Sequence, residues 1–354
     1  MPTLGSVLHV NQALTNFAIA WKPPSEKSGW FARQDFFGTV PVSKPSDIVR
    51  SVSQGAMLQR YTAAVGVDAK HVPRVEFRIG ANITFQCIPR TIEGVINNYE
   101  ERVADSALQY AKNQMMMPRW AMEMDNESMA LAVLLNTSNY ASGNVITLAS
   151  TDYFDNFASL SSNPWDAINE GLWKIAFDTG NKANRLGMTA PAWSVLQRHP
   201  ALVKRANVNQ GGNGPAFLTK QIFESLFEEF LEPGSLRIYR GTYNNQVSPN
   251  DDDPKDLRFF FGPGMVAAYV KDGADLEDLS FAKQFMFNGL DGVDPMIVLE
   301  IEDKTIVPIG GSILRLCTSV DWKVTHKQSA VIWPAVIDKT NARYVNEAGN
   351  SYYV

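Results

Sequence analysis

The chain has 354 residues, of which 45% are hydrophobic and 19% charged, and its net charge is −5. This composition is typical of a folded protein with a large core, and the length predicts two to three domains. The acidic balance disfavours a dedicated nucleic-acid binder, because such proteins usually present a basic face. The two cysteines, Cys87 and Cys317, are far apart and supply neither a disulfide framework nor a zinc site, so a reducing compartment is expected.

Residues 1–34 combine aromatic side chains with breaks in regular structure. Trp21 and Trp30 flank a Lys-Pro-Pro-Ser-Glu-Lys-Ser-Gly stretch, whose Pro-Pro and Ser-Gly pairs interrupt helices and strands. Such a segment cannot bury its aromatic rings alone. It packs either on its own domain or, as an arm, on a neighbouring subunit. The start of the chain lacks the features of a secretory signal, and no apolar run reaches the roughly 18 residues of a membrane span, so we expect a soluble, cytoplasmic protein.

A short strand and a long excursion are predicted next. Residues 35–45 predict one edge strand, because two prolines in it cannot donate to a neighbouring strand. Within residues 46–90, period-two alternation at 75–79 and 83–88 predicts a two-stranded excursion. A lone hairpin is marginal in water, so we expect it to lie against another surface. Between residues 50 and 90 there are only two acids, and the six bases are Arg50, Arg60, Lys70, Arg74, Arg78 and Arg90.

Residues 91–136 predict two helical pieces. In the first, apolar residues recur at three- and four-residue steps, and Thr91 is a plausible N-cap. Pro118 is expected to kink or break the helix after Met117, with a second piece continuing beyond it. The polar start of the stretch 136–148 then leads into what we expect to be an extended apolar strand.

The remainder of the chain alternates predicted helices and strands, which is typical of a compact mixed domain. Predicted helices span residues 164–177, 192–197, 200–205 and, with Thr219 as N-cap, 219–230. Predicted strands span residues 184–190, 236–239, 257–261, 265–270, 296–300, 304–309 and 330–336.

Catalytic motifs are absent from the sequence, which has no Gly-x-Ser-x-Gly, Walker or His-Glu-x-x-His pattern. Residues 262–267 match Gly-x-Gly-x-x-Ala, but a β-rich run follows where a dinucleotide site requires a helix. The acids at 251–253 with Asp256 offer oxygen ligands for calcium, although clustered acids in a loop are more often simply solvated. His199 precedes a proline and is expected to end a helix rather than act as a base. We therefore predict no catalytic residue, no cofactor and no metal site.

Three stretches, taken in their order along the chain, resemble the major capsid proteins of tailed double-stranded-DNA bacteriophages. They are residues 13–16 with 36–44, residues 136–148, and residues 184–200. The resemblance implies an α+β fold, the tailed-phage major capsid fold. Pro118 departs from the family pattern, in which the spine helix is usually continuous. The implied parts are an N-terminal arm (1–34), an edge strand of the peripheral domain (35–45), an extended β-hairpin loop (46–90), a peripheral domain with a long spine helix (91–150), an axial domain (151–295) and peripheral C-terminal strands (296–354).

The resemblance implies a structural protein rather than an enzyme. It would self-assemble into hexamers and pentamers of an icosahedral head, made in the host cytoplasm and found in the virion. Its partners would be further copies of itself, a portal, scaffold or decoration proteins, and packaged double-stranded DNA bound without sequence specificity, with no membrane. An encapsulin-like compartment shell shares the fold and stays an alternative, as does a soluble enzyme with a metal in its acidic loop.

Charge and aromatic content indicate where subunits would meet. Residues 221–303 hold seventeen acids against six bases, so we hypothesise that the basic loop of one subunit lies on an acidic surface of a neighbour. The residues predicted to make inter-subunit contacts are Arg50, Arg60, Arg74, Arg78, Trp21 and Trp30.

Overall fold

A computed structural model describes residues 8–10, 12–20, 29–60, 79–104, 107–209, 217–245, 256–273, 278–288 and 296–338. Over these ranges the chain has an α+β fold, as predicted. The helices are α1 (Gln12–Ala20), α2 (Arg33–Phe36), α3 (Gln54–Met57), α4 (Asn98–Val103), α5 (Ala107–Leu134), α6 (Pro164–Thr179), α7 (Ala190–Leu196), α8 (Pro200–Asn209) and α9 (Lys220–Leu226). The strands are β1 (Leu8–Val10), β2 (Gly38–Val42), β3 (Ser46–Val52), β4 (Ile79–Gln86), β5 (Ile88–Asn97), β6 (Arg185–Thr189), β7 (Leu236–Tyr239), β8 (Thr242–Asn244), β9 (Leu257–Phe259), β10 (Met265–Ala268), β11 (Ala282–Phe287), β12 (Met296–Asp303), β13 (Gly311–Val324) and β14 (Ala330–Trp333).

A six-stranded sheet is built around β13, which pairs antiparallel with β5, β11 and β12. Strand β1 adds to β12, and β2 runs parallel to β11 at the opposite edge. The prediction of an edge strand near residues 35–45 is therefore confirmed. Pro41 lies opposite Met286 in this ladder. Because β2 is an edge strand, its outer side pairs with no described strand, and a residue without an N–H is tolerated there.

The prediction of a helix starting at Thr91 is wrong, because residues 88–97 form β5. The isoleucines at 92 and 96 are four residues apart, a spacing that fits both a helix and alternate positions of a strand. In the structure Gly94 and Ile96 are buried while Glu93 and Val95 are exposed, the alternation of a strand. Ten residues of β5 pair with β13, and this long-range ladder decides the conformation.

Pro118 does not end the spine helix, since α5 is 28 residues long and continues past the proline to Leu134. Proline has no N–H, so the carbonyl of Gln114, one turn earlier, loses its helical donor. The helix lies directly on Gly94 of β5. A Cβ built on Gly94 would be 2.8 Å from Pro118 Cγ and 3.0 Å from the Gln114 carbonyl oxygen. The absence of a side chain at Gly94 therefore allows the proline turn of the helix to contact the sheet.

A second, four-stranded sheet has the order β14-β10-β6-β7 and carries a separate large core. Helix α6 packs on it at Gly171, where a Cβ would be 2.2 Å from the ring of the buried Trp333. Strand β10 follows Gly262 and Gly264 directly, in agreement with the rejection of a dinucleotide turn. Strand β11 falls in the range predicted for the axial domain but belongs to the six-stranded sheet, and β14 falls in the range predicted for the peripheral domain but belongs to the four-stranded sheet. The domain boundaries themselves stay a prediction.

Several predicted elements are confirmed in this second half of the chain. Helices α6, α7 and α8 and strands β6, β7, β10 and β14 lie within a few residues of their predicted positions. Thr219 is the N-cap of α9, and its Oγ1 accepts from the N–H of Ile222 at 3.3 Å. Helix α9 ends at Leu226, earlier than predicted.

Two strand predictions are wrong, and two strands of the six-stranded sheet were not predicted. Residues 136–148 form two 3₁₀ turns, Thr137–Asn139 and Ser142–Asn144, and Val145 makes only one isolated bridge, to Ile332. Residues 304–309 lie in the turn between β12 and β13 rather than in a strand. Strands β11 and β13 were not predicted, because serine, threonine and charged residues interrupt their apolar pattern.

Candidate assembly surfaces

The clearest candidate for contact with another molecule is a two-stranded ribbon, residues 46–60 and 79–86, built on β3 and β4. Among the described strands these two pair only with each other, as predicted for a two-stranded excursion, while residues 75–78 of the predicted first strand lie outside the described residues. The side chains of Ile48, Met57 and Leu58 are 57%, 52% and 49% exposed. Exposed apolar side chains clustered on one element are typical of an interaction surface.

The base of the ribbon is anchored to the six-stranded sheet. The ring of Phe85 stacks on Phe285 at 4.6 Å between centroids, and both side chains are buried. The N–H of Gln86 donates to Asp321 Oδ2 at 2.8 Å. Nearby, burial raises the pKa of the Cys87 thiol to about 11, so this cysteine stays protonated and unreactive at neutral pH. The ribbon is therefore held rigidly at one end.

Three of the six predicted contact residues lie within the described ranges. Arg50 and Arg60 are exposed on the ribbon, and neither forms an ion pair with a described residue. Trp30 is half-buried and packs inside its own chain, with its ring 4.9 Å from that of Trp120 on α5. Trp21, Arg74 and Arg78 lie outside the described residues. The inter-subunit role of all six stays a prediction.

A buried charge network, missed at the sequence level, joins the N-terminal segments to the spine helix. Arg33 of α2 forms ion pairs with Glu123 and Glu127 of α5, and Arg119 pairs with the same Glu123. Arg119 Nε also donates to the carbonyl of Ala18 in α1 at 2.9 Å. The signal in the sequence is the four-residue spacing of 119, 123 and 127, which places all three on one helix face.

Glu127 is the most deeply buried member of this network. It is fully buried and accepts from the N–H groups of Ala32 at 2.7 Å and Arg33 at 3.2 Å. Burial raises its pKa to about 7, against the lowering influence of Arg33 and the two N–H donors. Because the folded pKa lies above the ordinary 4.5, this carboxyl favours folding below pH 4.5, and that contribution is lost as the pH rises through 7.

His199 lies between α7 and α8 and is a structural histidine. The N–H of Ala201 donates to Nδ1 at 3.3 Å, which places the ring proton on Nε2. Nε2 then donates to Ser162 Oγ at 3.2 Å, and this hydroxyl donates to the carbonyl of Tyr153 at 2.8 Å. Burial lowers the pKa of His199 to about 4, so the ring is neutral near pH 7.

Within the described ranges, no three His, Cys, Asp or Glu side chains come together as metal ligands would. Asp256 is bound by Arg258 and by the Asn245 amide at 3.0 Å, while residues 251–253 lie outside these ranges. None of the described helices combines the length and hydrophobicity needed to cross a bilayer.

A second exposed apolar group lies at one end of the six-stranded sheet. It consists of Tyr99 and Val103 on α4 and Val307 and Ile309 in the turn before β13. Asn97 ties the two parts together by donating from Nδ2 to the carbonyl of Val307 at 2.9 Å. The ribbon and this end of the sheet are thus two separate surfaces on which apolar side chains meet solvent.

Comparison of the whole chain with known proteins identifies the fold. No protein-family model matches the chain, and a search of curated proteins found no match. A solved phage-related protein from Bordetella bronchiseptica is similar to it with a TM-score of 0.69 and 16% identity, over 92% of this chain and 97% of that one. The capsid of the cyanophage P-SCSP1u gives a TM-score of 0.50 at 10% identity, over 90% and 93%.

An encapsulin complex from Synechococcus elongatus is similar to the same extent, with a TM-score of 0.50 at 11% identity, over 92% of this chain and 95% of that one. The chain therefore has the shell-protein fold that phage capsids and encapsulins share. The expected tailed-phage capsid fold is confirmed.

Proposed function

We propose that this chain is the major capsid protein of a tailed phage, which self-assembles into hexamers and pentamers of an icosahedral head enclosing double-stranded DNA. The observation that carries the proposal is that the match to a capsid structure spans nine-tenths of both chains, so a whole shell subunit is involved and not one shared motif. The exposed apolar side chains of the ribbon support it, because an isolated monomer gains nothing from presenting them to water.

The test is negative-stain microscopy of the purified protein, with sedimentation on the same sample. We expect uniform shells or capsomer-sized rings. A clean monomer or dimer across a range of salt and protein concentrations would contradict the proposal, since an enzyme of this size typically stops at a small oligomer.

An encapsulin-like compartment is the second candidate, and it is favoured by an encapsulin match of the same TM-score. The contents of particles from the natural source separate the two. Nuclease-protected double-stranded DNA, together with a portal, is the result expected for a phage head. Particles filled with cargo protein and lacking DNA would establish the compartment instead.

Electrostatic contact of the ribbon with a neighbour is part of the same proposal. The bases of the loop region, Arg50, Arg60, Arg74 and Arg78, would lie on an acidic surface of the next subunit. Each exposed ion pair contributes about 0–1 kcal/mol, and the contributions add over the many copies of a shell.

The ribbon contact is tested by charge reversal. Changing Arg60, Arg74 and Arg78 to Glu should reduce the yield of shells at 0.1 M salt, and glutamine at the same positions should have a smaller effect. Raising the salt to about 1 M, where the screening length is only about 3 Å, should reduce the difference in shell yield between the Glu and Gln variants. Normal shells from the Glu variant at low salt would rule out this contact.

A further inference from the structure

A block of unbroken positive charge stands out in this acidic chain. Residues 179–223 contain six bases and no acid, and the next nine residues, 224–232, contain four acids and no base. The six bases are Lys182, Arg185, Arg198, Lys204, Arg205 and Lys220. Two oppositely charged segments thus follow one another within about fifty residues.

Four of these bases are exposed, namely Arg198, Lys204, Arg205 and Lys220. Lys204 and Arg205 are neighbours on α8 and line one cavity, and we call this part of the surface the α8 face. None of the four forms an ion pair with an acid in the described part of the chain. By contrast, Arg185 pairs with Asp272 at 3.2 Å. The α8 face therefore presents positive charge that its own described neighbours do not neutralise.

An open cavity of about 570 Å³ lies in this face, between α6, α8 and α9. The guanidinium of Arg205 lies 3.9 Å from the centre of the Trp165 ring, which holds it flat and in place. Lys204, Val208 and Leu226 also line the cavity. Val208 is 71% exposed. The site combines a guanidinium held in place, a second exposed cation and apolar side chains in the cavity wall.

The acidic segment forms a rigid turn after α9, which we call the acidic turn. The side chains of Glu228, Glu229 and Glu232 are exposed, and none forms an ion pair with a described residue. Their backbone is fixed, because the N–H of Glu232 donates to the carbonyl of Ala183 at 2.9 Å and Phe227 is fully packed in the core. The turn presents three carboxylates on a stable support.

We propose that the α8 face binds the acidic turn of a second copy of this chain. This contact rests on the proposed function, in which identical subunits meet in rings and shells. The charges of the two surfaces are complementary, and such complementarity fixes which patches of identical subunits meet. Within one chain the two surfaces are close in sequence, since Leu226 lines the cavity two residues before Glu228, yet they form no ion pair with each other.

A protein partner fits this surface better than nucleic acid. Phosphate groups gain nothing from the exposed Val208, whereas protein interfaces bury aromatic and apolar groups at their centre. A partner that carries carboxylates beside apolar side chains satisfies both parts of the face, and the acidic turn supplies the carboxylates.

The test uses two charge-reversal variants of the full chain, one on each surface. The face variant carries Lys204→Glu and Arg205→Glu, and the turn variant carries Glu228→Lys and Glu229→Lys. In each variant alone, the amount of fast-sedimenting material at 0.1 M salt should fall at least tenfold below that of the wild type, because like charges then face one another. The variant with all four changes, and an equimolar mixture of the two double variants, should each regain shells or rings. Circular dichroism and the Tm of the dissociated subunits check that every variant folds.

The control for specificity is the ribbon variant Arg50→Glu/Arg60→Glu, whose defect the turn variant should not repair. The contact is refuted if the face and turn variants assemble like the wild type. It is also refuted if neither the variant with all four changes nor the mixture regains assembly although every variant is folded. It is also refuted if the face variant assembles normally but loses retention of a short DNA duplex, which would assign the face to nucleic acid. If the wild type forms no shells or rings, the proposed function and this contact are both wrong. If the wild type assembles and only the results for the variants disagree with the expectation, the contact alone is wrong.

Discussion

Replacing Gly94 with alanine tests how the spine helix α5 lies on strand β5. The new Cβ would lie 2.8 Å from Pro118 Cγ and 3.0 Å from the Gln114 carbonyl oxygen. Both atoms belong to the proline ring or the backbone of a long helix, so neither can move aside alone. Overpacking of this kind costs about 1–3 kcal/mol. The lower backbone entropy of alanine in the unfolded chain returns about 0.5–1 kcal/mol. We expect a net loss of about 1–2 kcal/mol in the free energy of unfolding.

The assay is urea unfolding of the purified, unassembled chain, with tryptophan fluorescence as the readout. Gly55→Ala is the matched control, because no described atom outside its own helical turn lies within 4 Å of its built Cβ, and without a clash it should gain about 0.5–1 kcal/mol over the wild type. Pro118→Ala removes the Cγ contact and gives residue 118 an N–H for the Gln114 carbonyl. Gly94→Ala should therefore cost less in the Pro118→Ala background than in the wild type. A neutral Gly94→Ala, or an equal cost in both backgrounds, would refute this account of the contact.

Three further predictions concern buried and capping groups. Glu123→Gln leaves Arg33 and Arg119 buried without their shared carboxylate and should cost about 3–5 kcal/mol, measured as a lower urea midpoint; an unchanged midpoint would show that the network does not stabilise the fold. His199 has a folded pKa of about 4, below the ordinary 6.5, so the free energy of unfolding should fall as the pH drops from 6.5 towards 4. The variant His199→Gln should flatten this slope, and an unaltered slope would exclude His199 as its source. Thr219→Ala should lower stability by about 1 kcal/mol through loss of the α9 cap, whereas Thr219→Ser should stay close to the wild type.

Elements with one dominant local signal were predicted well from the sequence. Helix α6 has a clear apolar stripe and a proline at its start, and Thr219 has a side chain that caps α9. Strand β5 shows the opposite case, because Ile92 and Ile96 satisfy helix and strand spacing equally. Its conformation depends on β13, which lies more than two hundred residues later and has no apolar alternation of its own.

The same limit applies to the candidate surfaces. Arg50 and Arg60 were placed correctly on an exposed two-stranded element, because charge and alternation are local properties. The network around Arg33 was not foreseen, since its partners on α5 lie about ninety residues away. Trp30 packs on Trp120 of its own chain, one of the two arrangements that the sequence left open, and its contact with a neighbouring subunit stays a prediction.

The position of β13 in the sequence has a consequence for synthesis of the protein. A ribosome makes β1, β2, β5, β11 and β12 before β13, the strand on which three of them pair directly. Until residue 324 has been made, these strands present unpaired edges that invite aggregation. The six-stranded sheet, with both apolar surfaces attached to it, thus takes its final form only after β13 has been made.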